Sequence, residues 1–91
     1  MTQPAKYKDF QNSEGVITRL PAKFSKKVEL ADWALGFFEV GTVYSEQQVN
    51  EMIGQYIADF ALIRRLLVDD GKLERDAYGR EYRRVVDEAV S

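Results

Sequence analysis

Two groups of arginines are the residues whose type and spacing point most directly to binding chemistry. Arg64 and Arg65 are adjacent in a predicted helix, which could present them to the major groove, where arginine donates two hydrogen bonds to guanine. Tyr78 and Tyr82, which are suited to base stacking, lie in a predicted hairpin nearby. The same hairpin carries four cations that could contact phosphates, namely Arg75, Arg80, Arg83 and Arg84.

Arg19 and Lys23 extend this candidate set if the segment around Arg19 pairs with the second strand of the hairpin. A basic sheet face would then form against an acidic helical face. The alternative is a solvated hairpin, because edge strands commonly carry charges that prevent aggregation. For Arg64 and Arg65 the alternative is pairing with nearby acids such as Asp69, with the aliphatic stems covering the core edge.

The sequence offers little for catalysis. It contains no histidine and no cysteine, so Ser-His-Asp triads, cysteine nucleophiles and ordinary zinc sites are excluded. Asp69-Asp70-Gly71 does not continue into a calcium-binding loop, and no phosphate-binding loop appears among the six glycines. An enzyme that uses carboxylates alone stays formally open, but no buried acid pair is indicated. We therefore expect no enzyme activity, metal, cofactor or small-molecule substrate.

Charge is distributed unevenly along the 91 residues, whose net charge is −2. Residues 1–27 carry +4, residues 28–71 carry −6, residues 72–85 carry +2 and the remaining tail carries −2. The helices that would read DNA lie in the acidic block, where repulsion of phosphate weakens a groove-reading model. The charges instead favour the hairpin and the first strand as the contact surface.

Composition also indicates where the protein functions. A small secreted domain usually needs disulfides, and this sequence has none, so we expect a reducing, cytoplasmic setting. No apolar run approaches the roughly 18 residues of a membrane span, so no membrane partner is expected.

Trp33 and Phe37 lie on a broad apolar arc of the predicted first helix, where they fit either a partner surface or plain core packing.

The elements that must position these residues follow from local signals. Residues 1–14 are predicted to be a mobile arm, and residues 16–20 a short edge strand before Pro21. Ser25 is expected to cap a first helix that runs to Phe38.

Two more helices and a hairpin are predicted after it. Ser45 and Gln48 form a capping box for the second helix, which Gly54 is suited to end. Asp59 is suited to cap a third helix over residues 60–70, and a hairpin follows it. This order predicts an α+β, winged-helix-like fold with three helices, a C-terminal hairpin wing and a short N-terminal strand. The domain is placed at residues 15–86, with a tail at 87–91.

Several segments resemble a known family. In the first half they are Arg19-Leu20-Pro21-Ala22-Lys23, Phe38-Glu39, Tyr44-Ser45-Glu46 and Val49-Asn50. In the second half they are Asp59, residues 62–69 and residues 78–84. Over residues 16–85 the chain is similar to the bacterial domain of unknown function number twenty eighty-seven. Ile57-Ala58 departs from that pattern, which has a more polar residue there, often His, so any role tied to that side chain is absent.

Members of that family occur alone or attached to helix-turn-helix regulators, so the resemblance implies a link to transcription. The residues and the resemblance together predict a nucleic-acid-binding winged-helix module or small transcription regulator. The alternative is a protein-interaction or dimerisation module that uses an acidic helical face or the Trp33/Phe37 patch, binding itself or another protein without nucleic acid.

Overall fold

Three helices and one small antiparallel sheet make up residues 10–85, the part of the chain that the structure, a computed structural model, describes. In chain order the elements are α1 (Phe24–Leu35), β1 (Val43–Ser45), α2 (Glu46–Gly54), α3 (Phe60–Asp69), β2 (Leu73–Arg75) and β3 (Glu81–Arg84). The predicted α+β class with three helices and a C-terminal hairpin is confirmed. Within the described residues, no helix has the length and apolar character needed to cross a membrane.

Helix α1 differs from its prediction at both ends. Lys23 takes the N-cap position without a side-chain capping bond, and Ser25, the predicted cap, lies exposed inside the first turn. The helix ends at Leu35, because the amides of Phe37 and Phe38 donate to carbonyls three residues back, at 2.9 and 3.1 Å, in tighter turns. The residues that α1 buries are Leu30, Ala31 and Ala34.

The capping signals predicted for α2 and α3 are confirmed. Ser45 Oγ accepts a hydrogen bond from the Gln48 amide at 3.0 Å, and Gln48 Oε1 accepts one from the Ser45 amide at 2.8 Å. Asp59 Oδ1 accepts from the Leu62 amide at 3.3 Å, which satisfies an otherwise unpaired donor of the first turn of α3. Gly71 follows α3 with a φ of +73°, a conformation that favours glycine.

The corner between α2 and α3 is tight and is held by the N-terminal segment. Gly54, predicted to end α2 in a left-handed conformation, is instead the last helical residue, and a Cβ there would lie 3.4 Å from the Phe60 ring. The Ile17 amide donates to the Tyr56 carbonyl, and the Ala58 amide donates to the Ile17 carbonyl, both at 2.8 Å. Ile17 is itself fully buried, so this pairing fixes the corner from the core side.

This pairing replaces the short N-terminal strand that the sequence places at residues 16–20. Instead of joining the sheet, that segment makes isolated bridges at Ile17, to Gln11 and Ile57. Both backbone hydrogen bonds of Ile17 go to the α2–α3 corner, which leaves it none for β3. The sheet is completed by β1.

Residues 10–14, which the sequence assigns to the mobile arm, form a turn against residues 15–18. Asn12 Oδ1 accepts from the amides of Glu14 and Val16 at 2.9 and 3.0 Å, and Phe10 packs against the core. The remainder of the predicted arm, residues 1–9, and the predicted tail, residues 87–91, lie outside the described residues.

Strand β3 is the middle strand of the sheet, with β1 on one side and β2 on the other. Tyr82 of β3 lies opposite Tyr44 of β1 and Arg75 of β2, and all three therefore share one face. This is the face that packs on the helices, because Tyr82 is buried in the core. The buried apolar residues of the described chain are Ile17, Leu30, Ala31, Ala34, Phe38, Val49, Ile53, Ile57, Ile63, Leu67, Leu73 and Tyr82.

Lys72 joins α1 to the corner between α3 and β2. Its ammonium group contacts the Asp32 carboxylate and lies 3.0 Å from Asp70 Oδ2. The hydrogen bond to Asp32 is the main reason why the pKa of Lys72 is raised above its ordinary value. Because the pKa is raised in the folded state, this contribution to stability is complete below the unfolded-state pKa of Lys72 and is lost as pH rises through the folded-state pKa.

The difference between the two serines near helix starts gives a direct test of the capping assignment. We expect Ser45→Ala to lower the free energy of unfolding by about 1 kcal/mol, because an amide of the first turn of α2 loses its acceptor. Ser25→Ala is the matched control, and we expect little change because Ser25 is exposed within α1. Urea denaturation of both variants measures the difference, and a larger loss for Ser25→Ala would contradict the assignment.

Candidate nucleic-acid interface

Three of the predicted basic residues, Arg64, Arg65 and Arg75, line a groove between α3 and the hairpin. Arg65 of α3 and Arg75 of β2 both line it and are both exposed. The rest of the lining consists of Ala61, Leu62, Arg64, Val68, Asp69 and Tyr82. A groove with two exposed guanidinium groups on its walls is suited to a phosphate backbone.

Arg64 does not act as a surface cation. Its side chain is 21% exposed, and its guanidinium donates to the Asn50 side chain and lies 3.2 Å from Glu46 Oε1. Both partners belong to α2, so Arg64 holds α2 and α3 together, in contrast to the prediction that it faces outward. The helix periodicity explains this position, because residue 64 flanks the stripe of Ile63 and Leu67 that enters the core.

Arg65 is the more exposed of the two arginines of α3. Its side chain is 79% exposed, and its Nε lies 3.7 Å from Asp69 Oδ2, one turn along the helix. An exposed ion pair at this spacing is weak. A phosphate can therefore displace Asp69 from Arg65 with little penalty.

Two further arginine contacts lie at the hairpin loop. A Cβ built on Gly79, whose φ is +67°, would lie 3.7 Å from Arg75 Nη1, so the Arg75 guanidinium reaches the loop. Arg80 lies over the Tyr78 ring, with its guanidinium carbon 5.5 Å from the ring centroid. The exposed cations are therefore Arg65 and Arg75 in the groove and Arg80 in the hairpin loop.

The loop is organised by Asp76. Its Oδ1 accepts from the amides of Arg80 at 2.7 Å and Glu81 at 3.3 Å. The hydrogen bond from Arg80 is the largest cause of a pKa for Asp76 below the ordinary aspartate value, so the carboxylate is charged at neutral pH. Sequence analysis missed this role, although an aspartate four residues before Arg80 at a turn is a recognisable signal.

Two predicted contacts in the hairpin, Tyr82 and Arg84, have structural roles instead. Tyr82 is 2% exposed and belongs to the core, so the prediction that it stacks on a base is wrong. Strand alternation places Tyr82 on the inner face, between the exposed residues Glu81 and Arg83. Arg83 Nη2 pairs with Glu74 Oε2 at 3.3 Å across the two strands, and Arg84 Nη1 donates to the Phe38 carbonyl at 3.1 Å.

Arg19 and Lys23 do not line the groove. Arg19 lies over the Phe10 ring, with its guanidinium carbon 5.1 Å from the centroid, and Lys23 precedes α1. Because residues 16–20 pair with the α2–α3 corner and not with β3, the basic sheet face that would have included Arg19 does not form.

Trp33 and Phe37 form a half-buried aromatic cluster with Tyr56. The Trp33 and Phe37 rings meet edge to face at 5.0 Å between centroids, and Tyr56 lies 5.0 Å from Phe37 and 6.0 Å from Trp33. Tyr56 follows α2 and was not identifiable from the sequence, because its contact with α1 is not local.

Within the described residues, no three acidic side chains are grouped so that they could hold a metal ion.

The two adjacent arginines predict different stability effects. We expect Arg64→Ala to lower the free energy of unfolding by roughly 1 to 3 kcal/mol, because Asn50 and Glu46 lose a charged, partly buried partner. Arg65→Ala is the matched control and should leave the urea midpoint nearly unchanged. Equal midpoints for the two variants would show that Arg64 does not hold the helices together.

Comparison with known proteins supports the family resemblance. The profile of the family described as uncharacterized proteins conserved in bacteria, DUF2087, matches residues 16–84. The matched range contains all six elements, from α1 to β3. No curated protein and no solved structure gave a match. Since the family profile spans the whole described fold from Val16 onward, the chain belongs to this uncharacterized bacterial family, DUF2087.

Proposed function

We propose that the chain is a non-enzymatic, nucleic-acid-binding module of the winged-helix type, a role that suits a small transcription regulator. The observation that carries the proposal is the groove between α3 and the hairpin, which both Arg65 and Arg75 line with exposed guanidinium groups. Arg80 adds a third exposed cation in the hairpin loop, over the Tyr78 ring. Helices α2 and α3, followed directly by a hairpin, have the order of a helix-turn-helix with a wing.

The electrostatics favour contact with phosphates over reading of base edges by α3. Arg64 is held by Asn50 and Glu46, so only Arg65 remains available from the pair. The two helices also carry or adjoin several acids that repel a DNA backbone, namely Glu46, Glu51, Asp59, Asp69 and Asp70. We therefore place the main contact on the hairpin side of the groove, with Arg75 and Arg80.

A second candidate function is self-association through the cluster of Trp33, Phe37 and Tyr56. The observation that favours it is that all three rings are half-buried and pack together, with Trp33 edge to face against both Phe37 and Tyr56. Large aromatic side chains at a surface are typical of interface centres. This function requires no nucleic acid.

Removal of the two groove arginines tests the leading proposal. We expect the double variant Arg65→Ala, Arg75→Ala to bind labelled oligonucleotides more weakly at low salt than the unaltered protein. The slope of log affinity against log salt should become shallower by roughly 1.4 to 1.8, because each lost phosphate contact removes about 0.7 to 0.9. Fluorescence anisotropy across a salt titration measures both quantities.

The matched control removes two lysines outside the groove, in the double variant Lys26→Ala, Lys27→Ala. It loses the same charge, and Lys26 is paired with Glu29 at 3.1 Å on α1. The control should keep the salt slope of the unaltered protein. The proposal fails if no oligonucleotide binds at low salt, or if both double variants lose the same affinity.

Analytical ultracentrifugation tests the second candidate. If the aromatic cluster mediates self-association, the protein sediments as a dimer at high concentration, and Trp33→Ala shifts it to monomer. Trp33→Phe, which keeps an aromatic ring, should preserve most of the dimer. A monomer at all concentrations rules out self-association through this surface.

A further inference from the structure

Tyr78, at the tip of the hairpin, is the most exposed large apolar side chain among the described residues. Its exposed fraction is 81%, whereas that of Phe24, the next in rank, is 67%. An exposed aromatic ring on a polar loop contributes little to folding, since it leaves most of its apolar area in water. The ring is therefore available to a ligand.

The loop that carries Tyr78 is fixed by hydrogen bonds between residues that precede and follow it in the chain. The Asp76 amide donates to the Glu81 carbonyl and the Gly79 amide donates to the Asp76 carbonyl, both at 3.1 Å. The Asp76 carboxylate also accepts hydrogen bonds from the amides of Arg80 and Glu81. A ring on a fixed loop loses little conformational entropy when a ligand stacks on it.

Two guanidinium groups lie near Tyr78, beside the Asp76 carboxylate that organises the loop. Arg80 lies over the ring at 5.5 Å, and the Arg75 guanidinium reaches the same loop near Gly79. An aromatic platform beside guanidinium groups is the arrangement that binds single-stranded nucleic acid, in which the ring stacks on a base and the cations contact the flanking phosphates. Bases within a duplex are already stacked and do not offer their faces to such a ring.

We propose that Tyr78 is a stacking platform for an unpaired base, so that the preferred ligand of the groove is single-stranded nucleic acid. This inference rests on the proposed function and specifies its ligand. Arg80 supports one face of the ring, the base stacks on the other, and Arg75 and Arg65 follow the strand along the groove.

The test compares a mixed-sequence single-stranded oligonucleotide with a duplex of the same sequence by fluorescence anisotropy at low salt. We expect the unaltered protein to bind the single strand more tightly. Tyr78→Ala should weaken binding of the single strand by roughly 5- to 150-fold, the range for loss of one base–aromatic stack, and should change duplex binding little. Tyr78→Phe keeps the stacking face and should remain close to the unaltered protein.

Phe24→Ala is the matched control, because Phe24 is also exposed and aromatic but lies at the start of α1. It should not change the affinity. A second readout uses Tyr78→Trp, whose fluorescence should be quenched on binding of the single strand, with the emission of Trp33 in the unaltered protein as background. Thermal unfolding followed by circular dichroism verifies that each variant is folded.

The outcomes separate the two proposals. If binding depends on Arg65 and Arg75 but Tyr78→Ala has no effect, or weakens single strand and duplex equally, the stacking inference is wrong and the proposed function stands. If the unaltered protein binds the duplex more tightly than the single strand, the stacking inference is likewise wrong and the proposed function stands. If no oligonucleotide binds at all, both proposals are wrong.

Discussion

The pairing of Ile17 with the corner between α2 and α3 fixes how the two helices meet, and the remaining structure depends on that angle. One residue supplies two backbone hydrogen bonds to the corner and a fully buried side chain beneath it. With the corner fixed, α3 packs against both α1 and α2 and leads directly into β2. The N-terminal segment is therefore not available to pair with β3, and β1 pairs with that side of β3 instead.

The arginines divide into those that hold this arrangement together and those that face solvent. Arg64 joins α3 to α2, and Arg84 joins β3 to the segment that follows α1, whereas Arg83 is paired with Glu74 but stays largely exposed. Only the solvent-facing ones can exchange a weak partner for a phosphate without loss of structure. Under the proposed function, contacts from Arg65, Arg75 and Arg80 imply modest affinity and a salt slope of only roughly 2 to 3, because each phosphate contact contributes about 0.7 to 0.9.

The features that the sequence predicts well are those whose partners are close along the chain. The capping box of Ser45 and Gln48, the cap at Asp59 and the left-handed Gly71 depend on neighbours within four residues, and all are present. The partner of Ile17 is about forty residues away, and local pattern contains no information about it. The start of α1 differs from its prediction because Ser25 is a good cap by type, whereas the carbonyl of Lys23 already accepts from the amides of Lys26 and Lys27.

In the candidate site, too, the local features are predictable from the sequence and the long-range contacts are not. The groove arginines were found because clustered cations are visible in sequence, but which of them are engaged depends on tertiary contacts such as that between Arg64 and Asn50. Tyr82 is a different case, since alternation between Glu81 and Arg83 already indicated an inward side chain. The sequence therefore predicts which residues are basic, but it does not predict which of the arginines are exposed and able to contact a ligand.

The strand order has a consequence for how the protein forms during synthesis. Among the described residues, strand β3 is the last element in chain order but the middle strand of the sheet, so β1 and β2 have no hydrogen-bonding partner in the sheet until residues 81–84 have left the ribosome. The helices can pack earlier, because α1, α2 and α3 all precede β3. The sheet, and with it the groove, forms only after translation of the domain is nearly complete.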